Sequence, residues 1–149
     1  MQSALVLPKT SHVHSIISIF FADPRLTILF SAFTASLPID FYVKTTGSDG
    51  LYEGIMMQFP IRANPNIENS LIARTLQLNC LNKYYAPLWE ESWQADFKAD
   101  NWSKQDARLK PFNTLTPNWQ WSTPLRNWFE RRQALVEIDV ITAMALGLT

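Results

Sequence analysis

Hydrophobic positions along this chain change their rhythm about two-fifths of the way in. Before Pro65 they come in short runs separated by turn formers; after it they recur at helical spacing. Residues 5–7 are a brief apolar run and residues 13–21 are rich in β-branched and aromatic side chains, with Pro8, Thr10 and Ser11 between them. Two strands, or a strand leading into a helix, fit that pattern. Asp23-Pro24 predicts an N-cap followed by a first-turn proline, and Leu26, Leu29, Phe30 and Phe33 then follow at helical spacing. Ser36-Leu37-Pro38 restarts the chain into a second segment through Ile39, Phe41, Tyr42 and Val43, which stops at Thr46-Gly47. Residues 47–50 are a turn by composition, holding two of the chain's four glycines, and residues 55–61 predict a strand ending at Pro60.

In the second part, Leu71, Leu78 and Tyr85 stand seven apart, and Ile72, Leu76 and Leu81 widen the stripe into one long amphipathic helix that Pro87 kinks or ends. Residues 95–118 are polar and broken by Pro111 and Pro117, an irregular connection pinned to the helices by tryptophans. Thr123-Pro124 reads as the start of a last helix, with Trp128, Leu135, Ile138, Ile141 and Ala145 on its buried face and Gly147 as its terminator. The expected fold class is therefore α+β: a small N-terminal sheet with short helices, followed by two long helices near 68–86 and 124–146.

Composition narrows this picture. A length of 149 residues, 47% of them hydrophobic, suits one small core. Thirteen basic side chains balance thirteen acidic ones, so no long-range field gathers nucleic acid, and any DNA contact depends on local groups. The single cysteine, Cys80, lies among Leu76, Leu78 and Leu81 and reads as a buried small side chain. A reducing cytoplasm is the expected setting, since residues 16–21 are too short for a membrane span and the N-terminus lacks the pattern of a secretion signal.

Candidate chemistry is sparse. The sequence has no glycine-rich nucleotide motif and no metal-ligand spacing; His12 and His14 stand two apart in an apolar stretch without nearby partners. The pairs Glu90-Glu91 and Glu137 with Asp139 read as solvated helix faces rather than converging acids. Arg126, Arg131 and Arg132 suit either phosphates or ion pairs with Glu130, Glu137 and neighbouring helices, the pairing being preferred. The tryptophans read as core anchors rather than stacking platforms.

The order of segments carries more than any one motif. The phrase Arg131-Arg132-Gln133-Ala134-Leu135-Val136-Glu137-Ile138-Asp139, closed by Ala145-Leu146-Gly147-Leu148-Thr149, resembles the tail of large bacterial adenine-specific DNA methyltransferases fused to restriction functions, the type IIG-like enzymes. Type I specificity subunits are more distantly similar. Upstream, residues 30–47 and 57–61 resemble the family's closing helix, loop and strand. Residues 71–79 and Tyr85-Ala86-Pro87-Leu88-Trp89 resemble the helix that follows. The likeness covers roughly residues 26–149, with Ala35 where the family usually has asparagine and Lys44 where it commonly has arginine.

The resemblance implies residues 1–62 as the end of a DNA target-recognition-like domain and 63–149 as a C-terminal helical scaffold, together a piece of a larger enzyme. It implies double-stranded DNA and the parent's own methyltransferase domain as partners. S-adenosylmethionine would be bound by that other domain, because no Asn-Pro-Pro-Tyr type motif occurs here and this chain is expected to hold no cofactor and to perform no catalysis. Within that frame, the DNA-contacting residues are expected to be Lys44 for charge, Thr45, Thr46 and Ser48 for hydroxyl donors, and Gly47 for close backbone approach to a phosphate. The competing expectation is a helical interaction or structural module that never touches DNA.

Overall fold

In the computed structural model, which describes residues 3–13, 16–46, 53–61 and 63–148, every regular element is helical and no β-strand occurs among the described residues. The chain forms α1 (Pro24–Ala35), α2 (Leu37–Thr45), a single turn α3 (Glu53–Met56), α4 (Pro65–Asn79), α5 (Ala86–Ser92) and α6 (Trp128–Ala145), with short 3-10 turns before and after α5. The α+β expectation, with its small N-terminal sheet, is thereby corrected to an all-helical fold.

The reason lies in where the backbone hydrogen bonds go. Residues 3–7 form no regular element; the Leu5 N–H donates to Asn79 Oδ1 at 3.1 Å, and the Tyr85 hydroxyl donates to the Leu5 carbonyl at 3.0 Å. Side chains of the helical bundle thus satisfy the groups a neighbouring strand would take. The expected strand at 55–61 instead finishes the turn of α3, whose C-terminal carbonyls accept the N–H groups of Gln58 and Phe59 at 3.0 and 3.2 Å.

The helix starts follow local chemistry. Asp23 Oδ1 accepts the Arg25 N–H at 2.9 Å with Pro24 in the first turn of α1, and Asn64 Oδ1 accepts the Ile67 N–H at 3.1 Å with Pro65 opening α4. α1 and α2 meet at 71°, and no single helix among the described residues is long and apolar enough to cross a membrane.

α1, α4 and α6 pack on one another through Ile28, Phe33, Leu71, Ile72, Leu76 and Ile138, all essentially fully buried. Burial of each such side chain contributes about 1.5–3 kcal/mol. The first long helix stops at Asn79, short of the expected 86, because the next segments are occupied in capping it. The Leu125 N–H donates to the Gln77 carbonyl, Arg131 Nη1 to that of Leu78, Trp119 Nε1 to that of Cys80 and Arg126 Nη2 to that of Leu81. These bonds satisfy carbonyls that a helix end otherwise leaves unpaired in the interior. Pro87 lies in the first turn of α5, where a missing N–H costs nothing, so it starts a helix rather than kinking one.

The same pinning delays α6. With Leu125 tied to Gln77, the helix begins at Trp128 behind Asn127, whose side chain accepts the Glu130 N–H at 2.8 Å, and not at Thr123-Pro124. Its buried face is also rotated from the expected one: Ile138 is buried and Ile141 half-buried, whereas Trp128 and Leu135 are exposed. Glu130 and Glu137 point inward in their place.

Candidate functional site

The residues expected to meet DNA fall at the end of α2. Lys44 and Thr45 form its last turn and Thr46 caps it; Gly47 and Ser48 lie outside the described residues. Lys44 Nζ pairs with Asp40 Oδ2 one turn back at 2.6 Å, and this hydrogen bond holds the Asp40 carboxyl below the usual carboxylate range. The Thr45 hydroxyl donates to the Tyr42 carbonyl at 2.9 Å and the Thr46 hydroxyl to the Val43 carbonyl at 2.7 Å. These groups sit at a carbonyl-bearing helix end, which carries partial negative charge, so a phosphate reaching Lys44 competes with Asp40.

The best-organised polar constellation lies elsewhere and is buried. Arg74, on α4, is 2% exposed. Its Nε donates to Glu137 Oε2 at 2.8 Å, Nη1 to the Ser70 carbonyl and to Asp100 Oδ2, and Nη2 to the Asn101 carbonyl at 2.9 Å while lying 2.7 Å from Glu137 Oε2. Each of the three guanidinium nitrogens therefore has an acceptor. The Trp102 and Phe112 rings flank the charge at 5.4 and 4.8 Å from Cζ.

On the far side, Glu137 Oε1 accepts from the Ser103 N–H at 2.8 Å, from the Ser103 hydroxyl at 2.7 Å and from Gln133 Nε2 at 2.8 Å. Burial is the largest single influence on this carboxyl and raises its pKa, but Gln133, Arg74 and Ser103 together outweigh it and leave it below its ordinary value. Glu137 thus ties α6 to α4 and to the 100–103 connection, which corrects its expected place on a solvated helix face. The sequence did hold a trace of this network, because Arg74 falls three residues after Leu71 and four before Leu78, on the inward stripe of α4.

Cys80 is fully buried, and that burial pushes its thiol up to about 12, far from the range of a nucleophile. Of the two histidines, His12 is exposed and His14 lies outside the described residues. No group of three or more His, Cys, Asp or Glu side chains is arranged to hold a metal among the described residues. A cavity of about 370 Å³ opens between the N-terminal segment, α1, α4 and α6, with Leu5, Ala35, Leu78, Ile138 and Arg131 in its wall. The Arg74 network holds α4, α6 and the 100–103 connection in register. No known protein family, curated protein or solved structure matches the chain.

Proposed function

We propose that this chain is the C-terminal recognition and scaffold portion of a larger bacterial adenine-specific DNA methyltransferase, of restriction-modification or phage-defence type, with no catalytic machinery of its own. What supports this reading is a coincidence of pattern and packing. Two of the stretches that carry the resemblance, 71–79 and 131–139, lie against each other: Arg131 caps the end of α4 at Leu78, and Glu137 engages Arg74. Arg131 and Glu137, from the stretch that resembles the family's tail, are thereby among the residues that join α6 to α4. In this reading S-adenosylmethionine and catalysis belong to another domain of the parent, in the cytoplasm. The segment of Lys44, Thr45, Thr46, Gly47 and Ser48 approaches the backbone of double-stranded DNA, with Lys44 exchanging Asp40 for a phosphate.

The test uses the reconstituted full-length enzyme. Lys44→Ala should weaken duplex binding about equally for all sequences and shrink the slope of log affinity against log salt by about one unit. Unchanged affinity and unchanged salt dependence would remove the 44–48 segment from the interface. A reading frame without methyltransferase motifs around this sequence would overturn the parent assignment itself.

A helical interaction module is the second reading, favoured by one observation. Leu37 and Phe41 on α2 and Val136, Val140 and Met144 on α6 are exposed, and the two helices are joined where the Leu37 N–H donates to Asp139 Oδ1 at 2.7 Å. Such an apolar face suits a protein partner. Binding of a separately expressed methyltransferase domain, abolished by Phe41→Asp with Val140→Asp, distinguishes a scaffold docked on its own parent from a module that ignores it.

A further inference from the structure

We propose that a surface separate from the 44–48 segment, built by Tyr84, Trp121, Arg126, Trp128 and Arg132, binds single-stranded nucleic acid. Although the tryptophans read in the sequence as core anchors, Trp121 and Trp128 are 68% and 70% exposed, and Tyr84 is 66% exposed. Each has a cation close by. Arg126 lies with Cζ 3.8 Å from the Trp121 ring centre, and Lys83 Nζ is 5.6 Å from that of Tyr84. Arg132, also exposed, follows Trp128 by one helical turn on the same face of α6.

The Trp121 ring is held rather than loose. Arg126 Nε donates to the Trp121 carbonyl at 2.8 Å and its Nη2 to the Leu81 carbonyl at 3.1 Å, which links the Trp121 turn to the segment leading into Tyr84. Trp119 braces Trp121 edge-on at 6.3 Å, while its own Nε1 donates to the Cys80 carbonyl at 2.9 Å. Arg126 Nη1 has no hydrogen-bond partner among the described residues and stays available to a phosphate.

Three cations of this surface have no carboxylate partner among the described residues. Lys83, Arg126 and Arg132 pair with none, as do Lys9, Arg25 and Lys98 elsewhere, whereas Lys44, Arg74, Lys104 and Arg108 are each held by an acid; what is particular here is that the unpaired cations stand beside exposed rings. Glu90, the acid that reaches this region, accepts the Trp119 N–H. Exposed rings alternating with unpaired cations suit a strand whose bases are free to stack and whose phosphates lie between them. A duplex offers the phosphates but hides the base faces, so it leaves the rings idle, and an apolar protein surface leaves the cations unpaired.

The test is fluorescence anisotropy of a labelled oligothymidylate of about twelve nucleotides with the full chain, a length within one stacking platform's usual site size. Saturable binding stronger than to a duplex of equal length is expected, with log affinity falling against log salt at a slope of about −2 for three phosphate contacts. Trp121→Ala and Trp128→Ala should each weaken it roughly tenfold while leaving the melting curve in place. Arg132→Gln should flatten the salt slope, and Lys44→Ala should change nothing. No saturable binding at low salt, preference for duplex, wild-type affinity in the tryptophan variants, or loss on Lys44→Ala would each overturn the proposal. An enzyme that still binds its duplex sites while ignoring oligothymidylate refutes this inference and leaves the recognition reading intact.

Discussion

The guanidinium of Arg74 and the carboxylate of Glu137, 63 residues apart in the chain, meet through Nε at 2.8 Å in a position closed to solvent. That contact decides the pitch of α6 against α4 and brings the 100–103 connection in beside them, because Asp100, Asn101 and Ser103 complete the same network. A buried ion pair is weak evidence of net stabilisation, since its attraction must first repay the loss of hydration. Its hydrogen bonds are directional, however, so it fixes which face of each helix turns inward.

Removing the cation alone should therefore be severe. Arg74→Met leaves the Glu137 and Asp100 carboxylates facing each other's field without their shared donor, at an expected cost of about 3–5 kcal/mol. That is a large share of the roughly 5–15 kcal/mol that holds a domain folded. Urea unfolding followed by circular dichroism measures it; a loss below about 1 kcal/mol would mean that the network is relaxed by water.

The Glu137 carboxyl titrates below its ordinary value, so the sign of the pH dependence follows. Its contribution is present above the unfolded-state value, near 4.5, and disappears as pH falls through the lower folded-state value. Protonated Glu137 then resembles glutamine. The gap in Tm between wild type and Glu137→Gln should be widest near neutral pH and close in acid, and a gap that stays constant between pH 7 and pH 3 contradicts the assigned role.

Ile138 and Leu135 look equivalent in the sequence and are not in the fold. Ile138→Asp places an unpaired carboxylate in the core and should unfold or aggregate the chain, a cost of several kcal/mol. Leu135→Asp, at a position 45% exposed, should cost less than about 1 kcal/mol. Melting temperatures of the two variants decide it, and equal losses would show that α6 is rotated from the geometry described.

Cys80 should resist thiol reagents in the native state. With its thiol pushed up to about 12, roughly one molecule in ten thousand carries the thiolate at pH 8, and the group is fully buried. Reaction with a disulfide reagent should track unfolding across a urea series. Rapid labelling without denaturant would place the thiol at the surface.

What the sequence determined by itself was local. Asp23-Pro24 and Asn64-Pro65 start helices because a side-chain acceptor and a proline lacking an N–H satisfy the first turn with no help from elsewhere. The end of α2 at Thr45, capped by Thr46, and the burial of Cys80 were legible for similar reasons, a glycine-bearing composition after the helix in one case and a leucine-lined position in the other.

Tertiary structure decided what the N-terminal apolar runs became. Residues 5–7 and 55–61 have strand-like composition, but the groups that satisfy Leu5 belong to Asn79 and Tyr85, more than seventy positions away. It also decided which stripe of α6 faces inward. Hydrophobic periodicity favours Trp128 and Leu135, yet the Arg74 guanidinium sits on α4 with fixed donor directions, and it draws Glu137 into the core while those apolar side chains remain outside. The same rotation turns Trp128 and Arg132 to the surface. A pattern of apolar positions records how much surface a helix can bury; the partners that meet it, and the directionality of their hydrogen bonds, select the face.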